Sequence, residues 1–399
     1  MRFHFLMTNF LRVLACSWVL LFAAQLLAAA APHREFLFFV GTYTAEGSKS
    51  KGIYAYRYDA ASGQITSLGL AAETTNPSFL AIHPNGNFLY AVNEVQKLDG
   101  KDNTGGVSAF AIDRDKDGQA TGKLTFLNQK HTRGADPCYI TVDPSGTHVL
   151  VANYTGGSVI VLRVAKDGKL GPASAFIQHK GQGPNKKRQE GPHAHSIDLS
   201  PDNRFAFIDD LGVDALLVDR FDSETGDLIP NDPPFARLDA GAGPRHFVLL
   251  PSGNFAYVIS ELHSTVTAFS ADLKAGTFHP LQTISTLPKD FAAANDAAEI
   301  QIHPSGKFLY ASNRGHDSIA VFAIDNDKGT LTPVEYVPTQ GKTPRSFEID
   351  PTGSLLFAEN QESGNIVVFR IDQTTGKLTP TGKVIDVPSP VCLKFLALN

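Results

Sequence analysis

A short turn signature recurs along this chain at intervals of about fifty residues, and it constrains the fold more than any other feature. Each copy is a proline-containing turn between two apolar runs, as in His83-Pro84-Asn85-Gly86. The turn prolines are Pro84, Pro144, Pro201, Pro251, Pro304 and Pro351, which lie 60, 57, 50, 53 and 47 residues apart. Proline followed by glycine or asparagine suits a tight turn of type I character. A repeat of this length indicates a propeller, a solenoid or a similar array.

A second hairpin occurs seven times, so the six proline turns leave one inner hairpin missing. The second set of turns lies at residues 59–63, 113–122, 166–168, 222–226, 272–276, 325–329 and 372–376. The two ends of the chain supply the missing strands, because residues 390–396 resemble a first inner strand and residues 36–42 resemble a second. We therefore predict an all-β, seven-bladed β-propeller of four-stranded blades over residues 32–399. Pairing of its N- and C-terminal strands closes the ring.

Residues 1–31 differ from the rest of the chain and have the pattern of a secretory signal peptide. Arg2 and Arg12 precede an apolar run at residues 13–27, and four alanines follow it. The run is short for a membrane span and small residues follow it directly, so cleavage is favoured over an uncleaved anchor. We expect an exported protein, periplasmic or extracellular, with no membrane attachment after cleavage.

The net charge limits the kind of binding partner, and the cysteine content bears on disulfide bonding. Loss of residues 1–31 removes two arginines and no acidic residue, so the formal net charge of −5 becomes −7. This charge argues against nucleic acid as a partner. Cys138 and Cys392 remain, on different predicted blades, and two buried thiols are favoured over a disulfide.

Side chains that differ among the repeats are expected at one mouth of the central channel. An antiparallel hairpin around each proline brings the residue six positions before it to the same end as the residues nine and ten positions after it. The first ring reads Ser78, Cys138, His195, Arg245, Ala298 and Arg345, with Val391 in the closing blade. The second ring reads Asn93-Glu94, Asn153-Tyr154, Asp210-Leu211, Ser260-Glu261, Asn313-Arg314 and Asn360-Gln361.

These rings gather cations at one mouth of an acidic protein. His195, Arg245, Arg314 and Arg345 lie on consecutive blades. Arginine forks match the geometry of carboxylate and phosphate groups, so the patch indicates a small anionic ligand. The simpler alternative is a rim salt bridge between Arg245 and Glu261 with asparagines that satisfy nearby backbone groups. We expect the head group of Arg245 to be partly solvated.

Two other kinds of site are less favoured. His193 and His195 face the same side of a strand, as metal ligands do, but no carboxylate-rich ligand set accompanies them at a fixed spacing. No Gly-x-Ser-x-Gly motif occurs at a strand–helix turn, which argues against a serine hydrolase. We therefore predict a site without metal.

Several stretches around these positions resemble a known family. They are residues 188–195, Asp209-Asp210-Leu211-Gly212, Gly243-Pro244-Arg245-His246 with Glu261-Leu262, residues 313–318 and Thr343-Pro344-Arg345. Together they resemble the seven-bladed propeller lactonases, the propeller type of 6-phosphogluconolactonase. The resemblance covers nearly all of residues 36–399.

The resemblance implies hydrolysis of a sugar-acid lactone without a metal or an organic cofactor, by a protein expected to act as a monomer. The implied catalytic residues are His195, Arg245, Glu261 and Arg314, and the implied substrate-binding residues are Arg345, His193, Asp210 and Arg188. Either His195 or Glu261 would serve as the base, through a water molecule. The export signal departs from the cytoplasmic members of the family and favours an unphosphorylated lactone such as gluconolactone.

Two alternatives to a lactonase stay open. One is a cycloisomerase of the carboxymuconate type, which uses lactone chemistry in the reverse sense. The other is an exported propeller that binds an anionic ligand or a protein without catalysis, as this fold often does. A deep polar pocket around His195 and Arg245 would favour an enzyme, and a shallow apolar mouth would favour a binding protein.

Overall fold

The chain folds as a ring of seven four-stranded antiparallel sheets, which confirms the predicted β-propeller. The computed structural model describes residues 35–45 and 47–398. The signal peptide predicted at residues 1–31 lies outside the described residues. The helical elements among the described residues amount to one 3₁₀ turn, Leu211–Val213, and none is long and apolar enough to cross a membrane.

The first three blades follow the order of the chain, from the innermost to the outermost strand. Blade 1 contains Leu80–Ile82, Phe88–Asn93, Gly106–Arg114 and Ala120–His131. A small hairpin of Lys97–Leu98 and Lys101–Asp102 projects from it. Blade 2 contains Pro137–Val142, His148–Asn153, Ser158–Val164 and Leu170–Gln178. Blade 3 contains Ala194–Leu199, Phe205–Asp210, Ala215–Phe221 and Leu228–Arg237.

The remaining blades have the same internal order. Blade 4 contains Pro244–Leu249, Phe255–Ser260, Thr265–Asp272 and Thr277–Ser285. Blade 5 contains Asp296–Ile302, Phe308–Arg314, Ser318–Ile324 and Leu331–Pro338. Blade 6 contains Pro344–Ile349, Leu355–Asn360, Asn365–Ile371 and Leu378–Asp386. Blade 7 contains Pro390–Ala397, Glu35–Thr42, Gly52–Asp59 and Gln64–Glu73.

The core of the molecule lies between the faces of neighbouring blades. The second strand of a blade is buried on both faces, as in Phe205–Asp210 and Leu355–Asn360, where every residue is buried. The outermost strand has one face in water, as in Leu378–Asp386. Burial of β-branched and aromatic side chains on both faces is the main stabilising term for such strands.

The proline turns also connect one blade to the next. In blade 1 the amide of Gly86 donates to the carbonyl oxygen of His83 at 2.8 Å, and the glycine has a φ of 69°, which favours glycine. The ring of His83 then reaches the carbonyl oxygen of Gly146 in the next blade, 2.8 Å from Nε2. A Cβ on Gly146 would lie 2.4 Å from this ring, so a larger residue would displace the contact. His303 makes the same 2.8 Å contact with Gly353.

The two ends of the chain close the ring as predicted. The strand at Pro390–Ala397 is the innermost strand of blade 7 and pairs with Glu35–Thr42, with Phe36 opposite Ala397 and Gly41 opposite Cys392. Aromatic side chains fix the junction with blade 6, where the ring of Phe38 lies 5.6 Å from that of Phe357. Cys138 and Cys392 are both free, buried thiols, as the sequence favoured.

Candidate active site

Six blades begin their innermost strand with a β-bulge, and the bulged position carries the first ring of predicted side chains. In blade 3 the pairing passes from Ala194 to Ser196, which leaves His195 without a ladder partner. The pairing shifts in the same way around Cys138, Arg245, Arg345 and Val391, and blade 5 skips Ala298 together with Glu299. A bulge bends the strand and redirects its side chain. The bulge therefore explains why this position, rather than its neighbours, reaches the channel mouth.

The second ring divides into a structural position and a cavity position. The side chain nine positions after the proline hydrogen-bonds to backbone groups of a neighbouring loop. Asn313 Nδ2 donates to the carbonyl oxygen of Thr286 at 2.9 Å, and Asn93 Nδ2 donates to that of Thr75 at 2.7 Å. The residue ten after the proline faces the cavity in four blades, as Glu94, Tyr154, Glu261 and Arg314. The hypothesis that these asparagines hydrogen-bond to nearby backbone groups is thus confirmed.

The two rings enclose a polar cavity of about 380 Å³ at one end of the channel. Its lining residues are Glu94, Cys138, Tyr154, Arg188, His195, Glu261, Asp296, Arg314 and Arg345. A cavity of this size with converging charged groups suits a small polar ligand. The polar lining around His195 agrees with the kind of pocket that the sequence analysis associates with an enzyme, although Arg245 does not line this cavity.

Glu261 is the centre of the charge network. One carboxylate oxygen contacts Arg188, and the other lies 3.2 Å from Nε of Arg245 and 2.8 Å from Nη2 of Arg314. Burial works to raise the pKa of this carboxyl, which is 3% exposed, but the three guanidinium groups outweigh burial and lower the pKa to about 2. Glu261 is therefore ionised at neutral pH and saturated by cations.

His195 is an uncharged imidazole beside this network. Its side chain is buried, with Nε2 3.9 Å from Oε2 of Glu261 and Nδ1 3.8 Å from Sγ of Cys138. Burial, and then the positive charge of Arg245, place the pKa of His195 well below 6.5. The ring therefore keeps a lone pair available for a proton at neutral pH.

Arg245 lies deeper than the sequence predicted. Its side chain is 2% exposed and lines a small cavity beneath the main one, with Nη1 donating to the carbonyl oxygen of Ala298 at 2.6 Å. The expectation of a partly solvated head group was wrong, because Glu261 and the backbone of blade 5 replace water around it. Burial, reinforced by Arg314 and Arg345, lowers its pKa to about 10. The salt bridge between Arg245 and Glu261, which the sequence analysis gave as the simpler alternative, is present at 3.2 Å.

Arg345 is the cavity arginine without an ion pair among the described residues. It forms no hydrogen bond or ion pair with residues 35–45 and 47–398, and its guanidinium carbon lies 5.5 Å from the centre of the Tyr43 ring. Tyr43 donates to both oxygens of Glu94, at 2.9 and 2.8 Å. The cavity lining thus includes a guanidinium without an ion pair, Arg345, and a carboxylate whose hydrogen bonds come from neutral groups, Glu94.

Of the predicted substrate-binding residues, the structure brings Arg188 and Arg345 to the cavity but not His193 and Asp210. Asp210 occupies the structural ninth position, is fully buried, and accepts from His179 at 2.6 Å and from the His193 amide at 2.7 Å. His193 stacks on Tyr154, with ring centres 4.7 Å apart. Neither residue lines the cavity, and a part for them in substrate binding stays a prediction.

Sequence reasoning placed Glu94 and Tyr154 in the second ring but gave them no role, and it missed Tyr43. Tyr43 follows the second strand of blade 7, so it holds the same position as Glu94 and Glu261 in their blades. Aligning the end of the N-terminal strand with the ends of the other second strands would have identified it. Among the described residues, no group of three or more histidine, cysteine or acidic side chains is placed to hold a metal ion.

A larger groove of about 740 Å³ lies at the rim, between the outermost strands of blades 6 and 7. Tyr56, Gln64, Lys383 and Asp386 are among its lining residues. It contains no residue of either ring, and its charged groups do not form a converging set. The chemistry is therefore concentrated in the cavity at the channel mouth.

Comparison with known proteins agrees with this geometry. Residues 37–395 match the family described as "Lactonase, 7-bladed beta-propeller". The chain belongs to this lactonase family. The 6-phosphogluconolactonase of Bacillus subtilis (strain 168) is 38% identical over 362 residues, which are 91% of this chain and 99% of the relative. A 6-phosphogluconolactonase of Formosa agariphila is 36% identical over 313 residues, which are 77% of this chain and 85% of the relative.

A solved lactonase structure is similar over the whole ring. The periplasmic gluconolactonase of Pseudomonas aeruginosa superposes with a TM-score of 0.84 at 33% identity, and the match covers 92% of this chain and 100% of that one. The family match, the curated relatives and this structure support a lactonase-type hydrolase with a small lactone as its substrate.

Proposed function

We propose that this protein hydrolyses the lactone of a sugar acid, with His195 and the cavity arginines as its working groups. The observation that carries the proposal is one cavity that holds an uncharged buried imidazole, His195, and an arginine that forms no hydrogen bond or ion pair among the described residues, Arg345. Such an imidazole accepts a proton, and a free guanidinium fork binds a carbonyl or carboxylate oxygen. Membership of the lactonase family supports the same reaction class.

The reaction begins with a water molecule in the cavity. His195 takes a proton from this water as the water oxygen attacks the carbonyl carbon of the lactone. The carbonyl oxygen becomes an oxyanion, which Arg314 and Arg345 stabilise from the cavity wall. The oxyanion then collapses, the bond between the carbonyl carbon and the ring oxygen breaks, and the imidazolium returns its proton to the ring oxygen. The product is a hydroxy acid that releases a proton to solvent.

The buried ion cluster has a supporting role in this proposal. A carboxylate with a pKa of about 2 accepts protons poorly at neutral pH, so Glu261 is not assigned as the base. Glu261 instead positions Arg188 and Arg314 at the cavity wall. Arg245 lies beneath the wall, and we assign it the role of positioning Glu261 and of keeping His195 uncharged.

We further propose that the substrate is an unphosphorylated lactone such as gluconolactone and that the protein works after export. Glu261 already compensates Arg188, Arg245 and Arg314, which leaves Arg345 without an ionic partner among the described residues. A phosphate monoester would add nearly two negative charges at neutral pH. The predicted signal at residues 1–31 and the similarity to a protein described as a periplasmic gluconolactonase support this choice.

The test compares D-glucono-1,5-lactone with its 6-phosphate, each corrected for spontaneous hydrolysis. We expect the wild type to prefer the unphosphorylated lactone, and we expect His195→Ala and Arg345→Met to lower kcat/KM by about a hundredfold or more. Arg220→Met, at an exposed arginine on blade 3, is the matched control and should retain wild-type turnover. A preference for the phosphate would overturn the substrate proposal alone, whereas no turnover of either lactone would overturn the lactonase proposal.

A further inference from the structure

Glu94 is a carboxylate on the cavity wall for which the proposed mechanism has no use. We propose that Glu94 determines specificity: its carboxylate accepts hydrogen bonds from the hydroxyl groups of the substrate and so selects polyhydroxylated lactones over unsubstituted ones. This inference rests on the lactone hydrolysis proposed above and adds the group that recognises the sugar-like part of the ring.

The position of Glu94 allows direct contact with a bound ring. It is half-buried and directly follows the second strand of blade 1, at the tenth position after Pro84. Its side chain lines the main cavity and also the small cavity beneath it. Glu94 therefore faces any ligand that fills the channel mouth.

Two neutral donors hold the carboxylate in place without neutralising it. Tyr43 donates to both oxygens, and the hydroxyl of Ser78 makes a short hydrogen bond to Oε2. A carboxylate has about four acceptor sites, so hydrogen bonds of this kind fix its orientation and leave capacity toward the cavity. Glu94 is thus a preorganised acceptor.

The electrostatic surroundings of Glu94 differ from those of Glu261. Glu261 is saturated by three arginines, whereas Glu94 forms no ion pair within 4.0 Å among the residues that the structure describes. Burial raises the pKa of Glu94, against the opposing effects of Arg345 and of the Ser78 and Tyr43 hydrogen bonds. Because no cation contacts its oxygens directly, the acceptor sites of Glu94 that face the cavity are open to hydroxyl donors.

The other groups of the cavity wall show why Glu94 matters as an acceptor. Arg188, Arg314 and Arg345 are donors, and they suit the carbonyl oxygen of a lactone. The hydroxyl groups of a sugar lactone also donate; Asp296, the other acidic side chain of the lining outside the Glu261 cluster, already lies 3.9 Å from Nη1 of Arg188, whereas Glu94 has no ion pair. An unsubstituted lactone would displace water from Glu94 without offering a hydroxyl donor in its place. The carboxylate would then lose hydrogen bonds, and this loss weakens binding of the unsubstituted lactone.

The experiment measures kcat/KM of the wild type and Glu94→Gln for two lactones, D-glucono-1,5-lactone and δ-valerolactone, which has the same ring without hydroxyl groups. Glutamine keeps the shape of the side chain and an oxygen for Tyr43. We expect kcat/KM for gluconolactone to fall by about 10- to 100-fold and that for δ-valerolactone to change by less than about threefold. Glu362→Gln, an exposed glutamate close behind the tenth position of blade 6, is the matched control and should leave both values unchanged.

Two other results of the kinetic comparison would overturn the inference. An equal loss for both lactones would mean that Glu94 serves a step common to all substrates, and no loss for either would mean that substrate does not contact it. If the wild type hydrolyses neither lactone, the proposed function fails, and calorimetric titration with D-gluconate and 5-hydroxypentanoate then tests recognition by itself. A preference for gluconate that Glu94→Gln removes would support the inference, and equal binding of the two acids by the wild type would refute it.

Discussion

Replacing Glu261 with glutamine removes the negative charge that Arg188, Arg245 and Arg314 share, and we expect a large loss of stability. Glu261 and Arg245 are 3% and 2% exposed, so water replaces little of the lost interaction. The lowering of the Glu261 pKa from 4.5 to about 2 corresponds to about 3 kcal/mol in favour of the ionised form of the folded protein. Removing one partner of a buried ion pair typically costs about 3 to 5 kcal/mol. We therefore expect the free energy of unfolding at pH 7 to fall by about 3 kcal/mol.

The pH dependence of this loss has a definite sign. The folded-state pKa of Glu261 lies below that of the unfolded chain, so its stabilisation is present above about pH 4.5 and is lost as the pH falls toward 2. The stability difference between the wild type and Glu261→Gln should be constant from about pH 8 to pH 5. It should shrink by more than half by about pH 3.

Urea unfolding followed by circular dichroism measures this difference, since the only tryptophan, Trp18, lies in the predicted signal peptide. Glu35→Gln is the matched control, because Glu35 pairs with Arg57 at 2.9 Å in an exposed position, and it should cost less than about 1 kcal/mol. A loss below about 1 kcal/mol for Glu261→Gln at pH 7 would refute the reasoning. So would a difference that persists unchanged at pH 3.

The same buried groups and the ring closure lead to three further expectations. Arg245→Met should lower the free energy of unfolding by about 3 kcal/mol, because it leaves Glu261 and the Ala298 carbonyl short of a donor; urea unfolding checks this, and wild-type stability would contradict it. The acidic limb of kcat/KM should lie below pH 6.5, since a lowered pKa keeps His195 neutral above it; a pH–rate profile with its limb above that value would exclude His195 as the base. Deleting residues 390–399 removes the innermost strand of blade 7 and should abolish cooperative folding, so unchanged thermal unfolding of the truncated protein would disprove the closure.

The fold could be predicted from the sequence because its information is repeated. Each proline turn marks one inner hairpin, and the mismatch between six inner and seven outer hairpins requires that the chain ends pair. The convergence of His195, Glu261 and Arg314 could be predicted for the same reason, since equal distances from equivalent prolines mean equal heights in the channel. Periodicity carries this kind of information reliably.

The direction and depth of individual side chains could not be predicted in this way. A count from the proline does not reveal that the ninth position holds backbone, so Asp210 was expected in the cavity although its carboxylate binds His179 and the His193 amide. Nor does the count reveal that Arg245 donates a hydrogen bond to the carbonyl oxygen of Ala298 in blade 5. These features depend on contacts between blades that no single repeat encodes.

Six of the innermost strands begin with a bulge, and the identity of the bulged residue does not affect the pairing of the sheet. A bulged residue takes no part in the ladder, and serine or alanine stands at the equivalent place in other blades of this chain. The six bulged positions around the opening can therefore carry different residues without a change in the sheet. A substitution at one bulged position changes the ligand that the channel mouth can bind, while the strand that carries it keeps its register. A propeller of this kind can therefore acquire a new ligand through substitutions at a few bulged positions, without any change to its blades.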